Sequence, residues 1–218
     1  CIYSLQNEYF LAFTSLFFEM NEKHLIIFVK NPIAGRVKTR LAAGIGNQKA
    51  LEIYLHLLEI TRSVATKIDC TRHVFYSDEI VSDEWDEDQF NKHLQQGDSL
   101  GDRMKNAFET VFTLGAKKAI IIGSDCPELT SEIIDSAFSS LDDKDVSIGP
   151  AKDGGYYLLG MKKPIPVLFE DKQWSTDSVF DDTIIDLMEN RLIYERLPVL
   201  SDLDTIYDLH LLKGELGN

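Results

Sequence analysis

The chain has 218 residues, 44% of them hydrophobic, and a formal charge of −14 at pH 7. That length makes one domain with a sizeable core the natural expectation, and the negative balance excludes a general binder of nucleic acid or of anionic membranes. Cys1, Cys70 and Cys126 form no Cys-x-x-Cys pair. This excludes a disulfide framework and a structural zinc site, and points to a reducing, cytoplasmic location.

Residues 9–18 form an apolar run that is too short to span a bilayer and lacks the basic leading region of a signal peptide. Met20 stands directly before the first convincing strand. Residues 1–19 therefore read as an upstream extension and residues 20–218 as a single domain. The competing reading is a helix that packs its aromatic face on that domain. The spacing predicts a strand over 24–29, a loop to Gly46 and a long helix from Asn47, with Leu51, Tyr54, Leu55, Leu58 and Val64 at helical intervals. A short strand is predicted over 72–76, then an acidic surface loop or short helix over 82–88 around Trp85. A helix from Leu100 to Phe112 is closed by Gly115. Residues 118–122 are apolar without alternation, as suits a strand covered on both faces. A helix over 131–141, strands over 145–148 and 156–161, a helix over 177–189, a strand over 193–197 and a last helix from Thr205 complete the reading. Strands alternate with helices, so the expected class is α/β: three α/β/α layers around a mostly parallel sheet.

Two loops carry unusual chemistry, each just past a buried strand. Such ends are where ligands sit in open α/β sheets. The first holds Lys30, Arg36, Lys38 and Arg40 within residues 30–40, with no acid among them. Pro32 stiffens this loop and Gly35 permits a tight turn. It fits neither the Walker A nor the dinucleotide glycine pattern. A small anion such as phosphate is the economical partner for these cations, and a solvated basic loop is the alternative. The second is Gly123-Ser124-Asp125-Cys126-Pro127, where Asp125 could hold a divalent cation. A second carboxylate could come from Asp202 or Asp204, although Asp204 or Thr205 could equally cap the last helix. Gly149 to Tyr157 contains Asp153, Gly154 and Gly155, which read either as a close backbone approach to a ligand or as a hairpin turn. Gln96, Gly97 and Arg103 flank the entry to the Leu100 helix, a possible anion or base-edge site or an ordinary cap. The five histidines are scattered along the chain and form no evident site, and no histidine neighbours Cys126 to support a nucleophilic role.

In this order, residues 30–41, 96–104, 122–130, 149–160, 174–179 and 202–209 resemble the bacterial and archaeal glycosyltransferase A-type, selenodomain-associated transferase family. More distantly, they are similar to the molybdenum-cofactor and phospholactate guanylyltransferases. The resemblance implies a nucleotide-diphospho-sugar transferase fold and a transferase acting with Mg²⁺ or Mn²⁺ on a nucleotide or nucleotide-sugar donor and a small-molecule acceptor. It implies that Lys30, Gly35, Arg36, Lys38 and Arg40, with Gln96, Gly97 and Arg103, bind the nucleotide. Asp125 with Asp202 or Asp204 would hold the metal. Asp153, Gly154, Gly155, Ser175 and Thr176 would face the acceptor. Asp125, Lys38 and Asp153 are the expected catalytic residues. Asp125 stands without the second aspartate of an Asp-x-Asp motif. The expected activity is sugar transfer from a nucleotide sugar, as the family favours; nucleotidyl transfer, which the lone aspartate resembles, is the alternative, and a non-catalytic nucleotide-binding module the second.

Overall fold

A computed structural model describes residues 21–212; the expected extension over 1–19 lies outside them. Seven strands form one sheet in the order β3-β2-β1-β4-β6-β5-β7. They are β1 Lys23–Val29, β2 Thr71–Tyr76, β3 Asn91–Leu94, β4 Lys118–Ile122, β5 Val146–Pro150, β6 Tyr156–Met161 and β7 Tyr194–Arg196. Only β6 runs antiparallel to its neighbours, β4 and β5; every other pairing is parallel. The helices are α1 Thr39–Ile45, α2 Asn47–Ala65, α3 Leu100–Thr113, α4 Ser131–Ser140 and α5 Val179–Glu189.

The sheet is covered on both faces, which explains its unbroken apolar strands. Leu25, Ile27 and Val29 of β1 and Ile120 and Ile122 of β4 join Tyr54 and Leu58 of α2 and Ile134 and Phe138 of α4 on one side. Ile26, Ala119 and Ile121 face the other side with Met104, Phe108 and Val111 of α3 and Leu187 of α5. A smaller cluster packs Leu41 of α1 and Leu57 of α2 against Leu203 and Leu212. Among the described residues no helix is long and apolar enough to cross a membrane.

Four expectations change. The loop before Gly46 contains α1, which starts where Lys38 adopts a left-handed backbone (φ 48°) and has the good helix formers Arg40, Leu41, Ala42 and Ala43 at its centre. Strand β3 escaped prediction because it is a four-residue edge strand with the polar sequence Asn-Lys-His-Leu. The acidic loop is not purely a surface feature: Trp85 is buried, edge-on to Phe90. The segment after Thr205 is a 3₁₀ helix, Ile206–Leu212, rather than an α-helix.

The strand order decides where the site lies. From β1 the chain steps outward to β2 and β3, then returns to place β4 on the opposite side of β1. The ends of β1 and β4 are therefore neighbours at a switch in winding direction, where a crevice opens. The cationic loop leaves β1 there, and Asp125 leaves β4.

Candidate active site

Hydrogen bonds to neighbouring elements position the loop after β1. The Tyr54 hydroxyl, from α2, accepts from the Lys30 N–H (2.8 Å) and donates to the Lys30 carbonyl (3.1 Å). It also lies 3.3 Å from the Ser124 hydroxyl, so one phenol ties the ends of β1 and β4 together. The Asn31 side chain accepts from the N–H groups of Asp78 and Glu79 and donates to the Glu79 carbonyl, clamping the same loop to the turn after β2. In the sequence Tyr54 reads only as part of an apolar helix face, and Asn31 gives no signal.

These restraints deliver Lys38 into the crevice with its side chain only 3% exposed. Its Nζ lies 3.1 Å from Asp125 Oδ1 and 3.1 Å from Asp204 Oδ1, and Arg40 holds Asp204 Oδ2 at 3.1 Å. Asp204 is thus taken up by two cations. It caps no helix, because Asp208 accepts from the N–H groups of Asp204 and Thr205 instead. The Leu203 N–H donates to the Asp125 carbonyl (2.9 Å), which fixes residues 202–204 beside the end of β4. Asp202 is different. Among the described residues no hydrogen-bond or ion-pair partner reaches its carboxylate. Burial, and then the charges of Asp125, Asp153 and Asp204, push its pKa up to about 7 against the pull of Lys38. Cys126 is buried, and burial with the nearby Asp202 raises its pKa. It therefore stays a thiol, which removes it as a nucleophile.

The glycine-rich segment is the hairpin turn between β5 and β6, with the Gly155 N–H donating to Asp153 Oδ1 (3.0 Å). Gly154 has φ 89°, and a Cβ there would lie 2.1 Å from the Asp177 carbonyl oxygen. Gly154→Ala is expected to destabilise the fold by on the order of 1–3 kcal/mol through backbone strain and overpacking. A melting temperature equal to the wild type's would show that this turn is not constrained.

Three cavities meet at Asp125, which lines all of them. The first, about 340 Å³, runs from Phe28, Gln95 and Arg103 past Leu100 and Met104 to Asp125 and Asp202. The second, about 120 Å³, is lined by Lys30, Arg36, Lys38 and Arg40 together with Asp125 and Asp204. The third, about 490 Å³, is lined by Asp153, Gly155, Tyr156, Trp174, Ser175, Thr176 and Asp177, and also borders Asp202 and Asp204. The four basic residues of the first loop therefore converge. Asp153, Gly155, Ser175 and Thr176 converge separately. Gly35 (φ 79°) forms the turn just before Arg36, against the Asn47 side chain, and lines none of the three cavities; Gly154 supports the hairpin.

Besides Gly35, two expected nucleotide residues lie elsewhere. Gln96 lines a separate depression with His93 and Asn106. Gly97 packs beneath α3, where a Cβ would come within 2.5 Å of Asp102 Cβ. Gln95 stands in the first cavity in place of Gln96. No sequence signal distinguished the two, because strand alternation could not be applied to an unrecognised β3.

Comparison with known proteins now defines the class. The fold is the α/β fold of nucleotide-diphospho-sugar transferases and cytidylyltransferases. A candidate nucleotide-diphospho-sugar transferase from Desulfovibrio desulfuricans G20, of known crystal structure, is 32% identical, with a TM-score of 0.82 over 91% of this chain and 90% of that one. CMP:2-keto-3-deoxy-manno-octonic acid synthetase in complex with CTP matches at 10% identity and a TM-score of 0.57, over 88% of this chain and 97% of that one. The inositol-1-phosphate CTP transferase of T. maritima matches at 13% and 0.57, over 87% and 94%. The chain belongs to the family of uncharacterized proteins conserved in bacteria designated DUF2064, whose model matches residues 60–176. No curated protein matches it.

Proposed function

We propose that this protein is a nucleotidyltransferase that moves a nucleoside monophosphate from a nucleoside triphosphate to a small hydroxyl- or phosphate-bearing acceptor. The observation that carries this reading is the meeting of three chemically distinct cavities at Asp125. A partly apolar cavity suits a nucleoside. A small cationic one suits a departing pyrophosphate. A polar one, with Asp153, Ser175, Thr176 and the Trp174 ring, suits the acceptor.

An acceptor oxygen attacks the α-phosphorus, and the bond to the oxygen bridging toward the β-phosphate breaks. Pyrophosphate leaves among Lys30, Arg36, Lys38 and Arg40, whose charges offset the negative charge that develops there. Asp153 takes the proton of an attacking hydroxyl.

A divalent cation fits these residues in a particular way. Among the described residues no group of three or more histidine, cysteine or acidic side chains is arranged to hold one. Two carboxylates, with substrate phosphates and water, suffice for Mg²⁺ or Mn²⁺. Asp125 and Asp202 are that pair. They repel one another; Asp125 meets Lys38 through Oδ1 alone and among the described residues no ion-pair partner reaches Asp202, whereas both oxygens of Asp204 are held, by Lys38 and Arg40. The bound ion would supply neutralisation of phosphate charge.

Sugar transfer is the second reading. It is favoured by the description of the 32%-identical relative and by the acid- and aromatic-lined third cavity, which would then hold a donor sugar. Thermal-shift measurements with Mg²⁺ separate the two. A ligand at about 100 times its dissociation constant stabilises the folded state by about 2.7 kcal/mol. Nucleoside triphosphates are expected to give such a shift and nucleotide sugars a smaller one. The reverse order would establish sugar transfer, and no response to either would remove the nucleotide site. Lys38→Ala should weaken triphosphate binding by on the order of 1–3 kcal/mol, the loss of a charge-assisted contact. Unchanged calorimetric affinity would take the loop out of the site.

A further inference from the structure

The 340 Å³ cavity carries more information than its size, because most of its polar groups away from Asp125 and Asp202 are already committed. The Ser77 hydroxyl accepts from the Asn31 N–H and donates to Asp78. Apart from Lys30, which also lines the cationic cavity, two side chains are not used up.

Gln95 follows β3, and its amide nitrogen donates to the carbonyls of Val29 (3.1 Å) and Phe75 (2.9 Å). Both partners are pure acceptors, so the amide cannot be turned round. Both hydrogens are spent on the ends of β1 and β2. Oε1 remains, and among the described residues nothing donates to it. Arg103, on α3, is held by one bond from Nε to the Gly97 carbonyl (3.1 Å). Its terminal nitrogens have no carboxylate partner among the described residues. The cavity therefore presents one fixed acceptor and one planar two-pronged donor, beside the apolar side chains of Phe28, Leu100 and Met104.

We propose that Gln95 and Arg103 read the nucleobase, and that the site selects bases presenting one donor beside two adjacent acceptors: cytosine and guanine over adenine and uracil. The inference rests on the nucleotide-transferring reading above. Cytosine offers its exocyclic amino group to Gln95 and N3 with O2 to the guanidinium fork. Guanine offers N1–H to Gln95 and O6 with N7 to the fork, a pairing familiar from arginine on guanine edges. Adenine and uracil each have a donor for Gln95 but place only a single acceptor beside it, so the fork is half satisfied. The apolar side chains take the faces of any base and do not discriminate.

The test is calorimetric titration of the full chain with CTP, GTP, ATP and UTP in Mg²⁺. CTP or GTP is expected to bind on the order of tenfold more tightly than ATP and UTP, the scale of one well-made bidentate contact. Gln95→Lys retains a donor for the two backbone carbonyls and deletes the acceptor. It should bring the four affinities together, mainly by weakening CTP and GTP. Arg103→Lys, at a half-exposed helix position, should do the same by removing the fork and guards against misfolding of the first variant. Equal affinities for all four in the wild type, or tightest binding of ATP or UTP, would overturn the base assignment while leaving the nucleotide site standing. A preference that survives both substitutions would move the reading elsewhere in the cavity. Binding of none of the four would overturn the nucleotide reading itself.

Discussion

Asp125→Asn is expected to keep its fold and to lose turnover by on the order of 10²–10³-fold, the scale seen when one group that stabilises transition-state charge is removed. Its position explains both halves of the expectation. Asp125 lines all three cavities, so in the proposed reaction every reacting group passes beside it. It is also 43% exposed, and its backbone carbonyl, not its side chain, holds residues 202–204 in place. Asparagine preserves shape and size and deletes the charge. Lys38 keeps its second partner, Asp204, so no buried cation is stranded. Mg²⁺ should tighten nucleotide binding in the wild type and have little effect in the variant. Calorimetry with and without Mg²⁺, alongside initial rates, checks this. A variant in which Mg²⁺ tightens binding as much as before would place the cation elsewhere.

The second large effect is a loss of stability in mild acid, set by three histidines in a row across the first three strands. His24 Nδ1 lies 2.9 Å from His73 Nε2, and His73 Nδ1 lies 3.0 Å from His93 Nε2. Each contact needs one nitrogen with a proton and one without, so a neutral chain satisfies all of them. Burial, and then the flanking His24 and His93, push the His73 pKa down to about 3, and burial lowers those of His24 and His93 as well. Below about pH 6.5 the unfolded chain takes up protons that the folded chain refuses. Unfolding free energy therefore falls as pH falls from about 6.5 toward 3, and is fully present above that window. At about 1.4 kcal/mol per unit, His73 alone accounts for on the order of 1 kcal/mol by pH 5.5 and a few kcal/mol by the bottom of the window. Urea unfolding at pH 7.5, 6.5 and 5.5 gives the slope, and ring resonances show which histidine refuses the proton. A His73 ring titrating near 6.5 in the folded protein would contradict this account.

These histidines also show where local sequence stops being informative. They read as scattered because they are 49 and 20 residues apart, and only pairing of β1 with β2 and of β2 with β3 brings them into line. By contrast, the features that depend on nearby residues could be read directly. The unbroken apolar runs of β1 and β4 announce strands covered on both faces. The helix from Leu100 begins with a reciprocal Ser99–Asp102 capping box, and Gly115 closes it with a positive φ. The Asp-Gly turn is the hairpin it resembles, and it also borders a cavity.

The sequence by itself determined the layered α/β class, the two loops that carry the cations and the lone aspartate, and the separate segment with Ser175 and Thr176. The first two follow from residue type and short-range period, which act within a few residues; the Ser175 and Thr176 segment came from the family resemblance. The tertiary structure decided what those loops do together. Direct pairing of β1 with β4 brings Lys38 to 3.1 Å from Asp125. Capture of Asp204 by Lys38 and Arg40 leaves Asp202 with no ion pair among the described residues. A short polar edge strand turns Gln95, rather than Gln96, into the cavity. All three depend on partners far away in the chain, whose charge, burial and strand alternation act only once the sheet has assembled.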